Sequence, residues 1–262
     1  MCYNTRMLQI AEVHGVIFDV DETLLDTNVH DPVNGLHEQA RMQAMHEAGE
    51  RYNLPALLAI TPEENFAHYM SSPVHTMEAV VWNGLQCTGV IPANDPLDPT
   101  HELLLEIVAR KDVLYEQLLR TKGKAITGAL EFIAALAARH IPLAIASTAI
   151  RRDIDIFLYE LTNLHKYFPD ERVVSKESVT HPKPHPEAFD KAFRSLGLPE
   201  TARSSVLAFE DNPRGIASAK GAGLFTCAIT SVQSRERLAS EPVPPDLIAD
   251  SFDAFAQAFG IS

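Results

Sequence analysis

The stretch Val16-Ile17-Phe18-Asp19-Val20-Asp21-Glu22-Thr23 holds the turn on which the fold depends. An apolar run stops at an aspartate, and a second aspartate follows two residues later. In extended backbone, side chains two apart point the same way. Asp19 and Asp21 thus face one centre at the exit of a predicted strand, Val13 to Phe18, with the spacing a nucleophile and an acid need. Asp-x-Asp is also common in plain surface loops, so its meaning rests on what else the chain brings to strand ends.

Three later segments repeat the pattern. Leu143 to Ala146 is an apolar strand that delivers the hydroxyls of Ser147 and Thr148 to its carboxyl end. His181-Pro182-Lys183-Pro184-His185-Pro186-Glu187 sets one lysine among three prolines. Each proline fixes its own φ and restricts the residue before it, so Lys183 sits on a stiff loop. Val206 to Phe209 runs into Glu210-Asp211-Asn212-Pro213-Arg214-Gly215 and then into the small residues Ile216 to Ala219, which open a helix. Open parallel α/β sheets bind ligands outside the carboxyl ends of their strands, where all four clusters fall. Each cluster alone has a plainer reading. Glu210-Asp211 suits a helix N-terminus, where caps and acids are favoured, and a lone lysine or serine after a strand is commonly a surface or turn residue.

Four motifs in order carry the chemistry: FDVDETLLDT (Phe18 to Thr27), AIAST (Ala144 to Thr148), KPHPEAF (Lys183 to Phe189) and FEDNPRGIASAKGAG (Phe209 to Gly223). Together they resemble the haloacid dehalogenase-like superfamily, in its capped phosphatase and β-phosphoglucomutase-like branch, over nearly the whole chain. The resemblance implies an α/β fold with a Rossmann-like parallel sheet, helices on both faces and an inserted helical cap. Residues 1–27 and 122–262 would form the core and 28–121 the cap. It also implies Asp19 as nucleophile and Asp21 as acid and base. Magnesium would be held by the Asp19 carboxylate, the Asp21 main-chain carbonyl and the Asp211 carboxylate, with Glu210 either a ligand or just behind the ligands. Lys183 would bridge Asp19 and a phosphate. Ser147 would donate to a phosphate oxygen, with Thr148 as substitute if the strand ends one residue later. Dehalogenase relatives lack the second aspartate, so Asp21 argues against that reaction. Glu22 stands where capped members usually have glycine, which is tolerable only if this backbone needs no positive φ. Thr23 is expected to tie the loop to itself.

The strand signals at Val13 to Phe18, Leu143 to Ala146, Arg172 to Ser175, Val206 to Phe209 and Leu224 to Ile229 alternate with helical patterns, which predicts a mainly parallel sheet covered on both faces. One covering helix starts at Pro186 and stops at Gly197, and another runs from Gly128 to Arg139. Between Thr27 and about Lys122 the alternation gives way to helices and turns. The last of these helices, about Thr100 to Arg120, sets Leu104, Val108, Lys111, Tyr115 and Leu118 on one stripe. Lys111 there reads either as a snorkelling side chain at the stripe's edge or as a cap lysine reaching the substrate. His37 reads either as a solvated histidine at a helix start or as a partner of the acid–base aspartate. Ser71 to Glu78 holds no basic residue except His75, which argues against the arginine grip of a sugar-bisphosphate mutase.

A chain of 262 residues, 46% hydrophobic, can bury a substantial core. Its net charge of −13 argues against a nucleic-acid surface, which needs clustered Lys and Arg. Cys2, Cys87 and Cys227 are scattered without metal-type spacing and read as thiols of a reducing compartment, implying no zinc site. Met1 to Ala11 shows no leader pattern, and no window approaches the roughly 18 apolar residues of a membrane span. A soluble cytoplasmic enzyme is expected, with no nucleic-acid or membrane partner and no signal of oligomeric state. Its expected activity is magnesium-dependent hydrolysis of a small phosphorylated metabolite, a sugar or polyol phosphate, through an aspartyl-phosphate. A phosphomutase is the nearest alternative, and a non-catalytic binding protein on the same fold is a more distant one.

Overall fold

The computed structural model describes residues 8–29, 31–74 and 76–261, so Cys2 and His75 lie outside the described residues. The chain divides into two compact units, Met1–Asp26 with Lys124–Ser262, and Thr27–Gly123. The first unit holds the strands β1 (Gly15–Phe18), β2 (Leu25–Asp26), β3 (Lys124–Ala125), β4 (Leu143–Ala146), β5 (Val173–Val174), β6 (Val206–Glu210), β7 (Phe225–Ile229) and β8 (Leu247–Ala249). The helices of the second unit are α1 (Leu36–Tyr52), α2 (Pro55–Leu58), α3 (Pro62–Ser71), α4 (Met77–Cys87) and α5 (Glu102–Lys122). The first unit adds α6 (Ala129–Ala138), α7 (Arg151–Asp155), α8 (Glu187–Ser195), α9 (Pro213–Gly221), α10 (Arg235–Ala239) and α11 (Phe252–Phe259).

Six strands form a parallel sheet in the order β5-β4-β1-β6-β7-β8, and β2 pairs with β3 in a separate antiparallel ribbon. β1 is central, with Phe18 opposite Ile145 of β4 on one side and Phe209 of β6 on the other. The chain moves outward from β1 through β4 to β5, then returns to β6 on the far side, so the order reverses at β1. Every residue of β1, β4 and β6 is buried, as central parallel strands covered on both faces require. Alternation divides them between two cores. Ile17, Ala144 and Ala208 pack with Phe189 and Phe193 of α8. Phe18 stacks on Phe209 with ring centroids 5.0 Å apart, and Phe132 of α6 and Phe252 of α11 close on this pair. A fully buried phenylalanine contributes about 1.5–3 kcal/mol relative to exposure, so this aromatic layer is a large part of what holds the sheet's centre.

Three strands add to the pattern read in the sequence. β8 continues the sheet beyond β7, in the segment that follows the Pro-rich stretch. Asp246, just before it, accepts from the Thr226 N–H at 2.8 Å and pairs with Lys220. β2 and β3 bring together the two points where the chain leaves and re-enters the first unit, with Asp26 opposite Lys124.

In the second unit, α1 and α5 pack along buried Leu36, Ala40, Ala44 and Ala48 against Leu104, Ile107, Leu114 and Leu119. The core stripe of α5 thus passes through Ile107, Leu114 and Leu119, with Val108 and Leu118 only partly covered. α3 opens on a capping box: Thr61 Oγ1 accepts the Glu64 N–H at 3.2 Å and Glu64 returns to the Thr61 N–H at 3.0 Å. Arg41 is buried, paired with Glu38 and donating to the Asn65 side chain at 3.1 Å and its carbonyl at 2.9 Å. No helix among the described residues is long and apolar enough to cross a membrane.

Candidate active site

β1 ends at Phe18, so Asp19 is the first residue beyond the sheet, and its N–H donates to the Phe209 carbonyl at 3.0 Å. That bond sets Asp19 beside the last turn of β6, where Glu210 and Asp211 emerge. The three carboxylates are buried, and one oxygen of each lies within 4.8 Å of the others. Lys183 meets them from its proline-rich loop, which includes a cis Lys183–Pro184 peptide. Its ammonium donates to Asp19 Oδ1 at 2.6 Å, to Glu210 Oε1 at 2.5 Å and to the Ala146 carbonyl at 2.9 Å. All three N–H donors are thereby satisfied, each on a different strand end. The Phe189 ring lies 4.8 Å beneath the same ammonium. Arg214 fixes the loop from below by donating to the Lys183 carbonyl at 2.6 Å.

The acids at the end of β6 do not cap α9; Asn212 does. Its Oδ1 accepts the Gly215 N–H at 3.0 Å, while its Nδ2 donates to Asp211 Oδ1 at 3.0 Å and to Glu210 Oε2 at 3.3 Å. This leaves Glu210 and Asp211 free of the capping role that the sequence alone allowed them. Gly215 makes room for the acid, since a Cβ there would fall 1.9 Å from the Glu210 carboxylate. Asn212 and Gly215 were missed in the sequence, although Asn-Pro before a run of small residues is a helix-start signal.

Electrostatics follow from this crowding. Burial raises Asp19, against the opposing charge and hydrogen bond of Lys183. Burial brings Glu210 to about 7 and, with Glu210 and Asp19 as negative neighbours, lifts Asp211 well above the usual carboxylate range. Burial pulls Lys183 down, but Asp19 and Glu210 outweigh it and its pKa rises. Three buried carboxylates with one ammonium leave excess negative charge, and the donors are hard oxygens. That set fits a magnesium ion held by Asp19 and Asp211. Both Glu210 oxygens accept hydrogen bonds, from Lys183 and from the Asp211 N–H and Asn212.

Asp21 is half-buried on the loop after Asp19. Burial first, then the charges of Asp19, Asp153 and Glu22, raise it to about 8. Asp153, from the first turn of α7, is a contributor that no motif singles out. β4 stops at Ala146, so Ser147 is the first residue beyond it and is buried, whereas Thr148 is exposed. Ser147 Oγ accepts the Ala149 N–H at 3.0 Å, which leaves its own O–H to donate elsewhere.

The loop corrects two expectations. Glu22 does take a positive φ, 58°, where a backbone without one was expected. Its N–H donates to the Leu25 carbonyl at 2.7 Å and its carbonyl accepts from Ser231 at 2.5 Å, and these bonds hold the left-handed conformation that glycine adopts freely. Thr23 is wholly buried, yet among the described residues its hydroxyl has no hydrogen-bond partner, so its side chain does not tie the loop. The backbone does so instead, with Leu24 and Leu25 N–H both donating to the Val20 carbonyl at 2.8 and 2.9 Å.

His37 and Lys111 come together in the second unit, around Tyr115. His37 lies in the first turn of α1 and its ring stacks on Tyr115 at 4.0 Å, so it is not a solvated helix-start histidine. Burial, with Lys111 and Arg41 nearby, holds its pKa well below the usual imidazole value. Lys111 is buried, its ammonium 4.7 Å from the Tyr115 ring centroid and 3.3 Å from Asp112 Oδ1, which is not a snorkelling arrangement. Cys87 and Cys227 are free thiols, exposed and buried respectively.

With this geometry in hand, the chain can be set beside known proteins. A family model described as haloacid dehalogenase-like hydrolase matches residues 13–223. The pyrophosphatase PpaX of Bacillus cereus is 32% identical over 244 residues, covering 91% of this chain and 93% of that protein. A family IA, variant 3 hydrolase of the same superfamily from Entamoeba histolytica superposes with a TM-score of 0.71 at 19% identity, covering 95% of this chain and 99% of the other. CbbY from Rhodobacter sphaeroides, a variant solved with xylulose-(1,5)bisphosphate, has a TM-score of 0.64 at 20% identity, with 92% and 95% of the two chains covered.

Proposed function

Since the chain belongs to the haloacid dehalogenase-like hydrolases and is an enzyme of the phosphoric monoester hydrolase type, we propose that it is a magnesium-dependent phosphatase of a small sugar or polyol phosphate, working through an aspartyl-phosphate on Asp19. The observation that carries this reading is the single ammonium of Lys183 shared between Asp19 and Glu210, with Asp211 alongside, at the ends of the two central strands. Lys183 opposes the burial that raises Asp19 and holds one of its oxygens, leaving the other to attack phosphorus in line. Asp21, raised to about 8, carries a proton at neutral pH and can give it to the leaving oxygen. Once ionised it is the base that takes a proton from the water attacking the aspartyl-phosphate. Ser147 supplies a hydroxyl donor for a phosphate oxygen. Bound magnesium would neutralise charge where two anions, carboxylate and phosphate, must meet.

Residues 27–123 are read as the cap, with His37 and Lys111 as its substrate contacts. The sugar bisphosphate named with the Rhodobacter sphaeroides structure supports sugar phosphates as the first class to try. The one arginine buried in this unit near His37, Arg41, is engaged by Glu38 and Asn65, which agrees with hydrolysis rather than transfer between two phosphates of a sugar.

The test is phosphate release from a panel of small monoesters and pyrophosphate, with magnesium or chelator, by wild type and Asp19→Asn. Turnover beyond one phosphate per enzyme that needs magnesium and vanishes in Asp19→Asn is the expected outcome. Labelling of Asp19 without multiple turnover would replace the phosphatase with a phosphomutase. Undiminished activity in Asp19→Asn would refute the mechanism.

A further inference from the structure

His181, His185 and Glu187 flank Lys183 in sequence but take no part in the chemistry above. Their ligand atoms lie within 4.8 Å of one another. His181 Nδ1 stands 3.0 Å from Glu187 Oε2, and the two imidazole rings are 4.5 Å apart between centroids. Pro182, Pro184 and Pro186 alternate with these residues, so little chain entropy remains to be lost when a ligand binds. The remaining polar atoms are held. Glu187 Oε1 accepts from the Thr180 N–H at 3.0 Å and from Lys191 at 2.7 Å, and Oε2 accepts the His181 N–H at 2.9 Å. His185 Nδ1 accepts the Glu187 N–H at 3.3 Å, a long bond that places the ring proton on Nε2, so ligation through Nδ1 exchanges this bond for the ion. A cavity of about 660 Å³ lined by these three side chains, together with Asp190 and Arg203, gives access from solvent.

We propose that His181, His185 and Glu187 form a second metal site, chemically distinct from the carboxylate centre of Asp19 and Asp211, that takes a borderline divalent ion of the zinc or copper kind. Two imidazole nitrogens and one carboxylate oxygen select such ions, whereas an all-oxygen set selects magnesium. The ion takes the place of the proton between His181 Nδ1 and Glu187 Oε2, and the neutral ring keeps its one proton on Nε2. Three protein ligands leave a coordination position open toward the cavity. Occupancy ties both ends of the short segment that carries Lys183. The scattered cysteines gave no hint of zinc; the imidazoles supply the ligands instead.

The test uses Cu²⁺ as a spectroscopic probe and Zn²⁺ as competitor, on the full chain without a histidine tag and with saturating magnesium. One equivalent of Cu²⁺ should bind with an electron paramagnetic resonance spectrum showing coupling to two nitrogens, and Zn²⁺ should displace it. His181→Ala and His185→Ala should each weaken binding at least about tenfold and remove one nitrogen from the spectrum. Both positions are exposed, so circular dichroism should be unchanged in the variants. Wild-type affinity in the His181→Ala, His185→Ala double variant, or an oxygen-only spectrum in the wild type, would overturn the proposal.

Discussion

Gly215→Ala tests the architecture of the site because two effects predict opposite signs. Gly215 lies in the first turn of α9, and helix propensity alone favours alanine over glycine by about 0.8–1.0 kcal/mol in a helix interior. Against that, the new Cβ would stand 1.9 Å from the Glu210 carboxylate, so the carboxylate must retreat by roughly 1.5 Å to reach ordinary contact. It has nowhere to go: Glu210 is 0% exposed and its oxygens are committed to Lys183, the Asp211 N–H and Asn212. Overpacking of this kind costs about 1–3 kcal/mol. Disturbing a buried ion pair adds to it, approaching the roughly 3–5 kcal/mol of a broken one if Lys183 is released. The steric term wins, and Gly215→Ala should destabilise by about 2–5 kcal/mol, read as a lower urea midpoint at unchanged slope. Misplacing Lys183 by an ångström should also slow phosphate release on the order of 100-fold. A double-mutant cycle isolates the cause. In a Glu210→Ala background the obstructing carboxylate is gone, and adding alanine at 215 should cost nothing or stabilise slightly. Additive losses in the cycle, or a Gly215→Ala protein as stable as the wild type, would refute the reasoning.

Other expectations follow from the same geometry. Lys183→Met leaves Asp19 and Glu210 buried without their cation, so it should cost about 3–5 kcal/mol. That loss should be smaller at pH 5 than at pH 8, because the stranded carboxyls can protonate; urea melts across this range would show it, and a pH-independent difference would contradict it. In the wild type, burial lowers and Asp19 and Glu210 more strongly raise the Lys183 pKa above 10.5, so its stabilisation is complete below that pH and lost only above it. Asp21 must be protonated to serve the leaving group, so kcat/KM should fall as pH rises through its pKa, about 8 before any metal charge lowers it, and Asp21→Asn should abolish that limb. Thr23→Val removes a buried hydroxyl that has no partner, so thermal unfolding should show no loss and up to about 1 kcal/mol of gain.

The parts of the site that were legible in the sequence are those in which a strand ends on a charge. Val16 to Phe18 and Val206 to Phe209 are uninterrupted apolar runs, as strands buried on both faces of a sheet require. The parallel sheet with helices on both faces followed from them. β8 was not legible because its three residues follow Val243-Pro244-Pro245, and what recruits it to the edge is Asp246 bonding to Thr226, a contact between residues far apart in the chain. The left-handed Glu22 was hidden because its hydrogen bonds come from Leu25 and from distant Ser231. His37 was misread for a related reason. Near a helix start a histidine is commonly solvated, and only the packing of α1 on α5 supplies the Tyr115 face that covers it. The charge of Asp153 raises Asp21, a relation no spacing rule encodes.

The central position of β1 has a consequence for how the protein is made. Its two sheet neighbours are β4 and β6, and the ammonium that secures Asp19 comes from 164 residues further along the chain. During synthesis at about 5–20 residues per second, β1 leaves the ribosome and waits roughly 10–40 s before β6 exists to pair with it. Until β4 arrives both its edges are open to wrong partners, and until β6 arrives one of them still is. Residues 27–123, whose contacts are largely internal, can fold meanwhile. The first unit must then close over long sequence separations, which slows folding. Its nascent chain should therefore depend on holding chaperones far more than the segment it encloses.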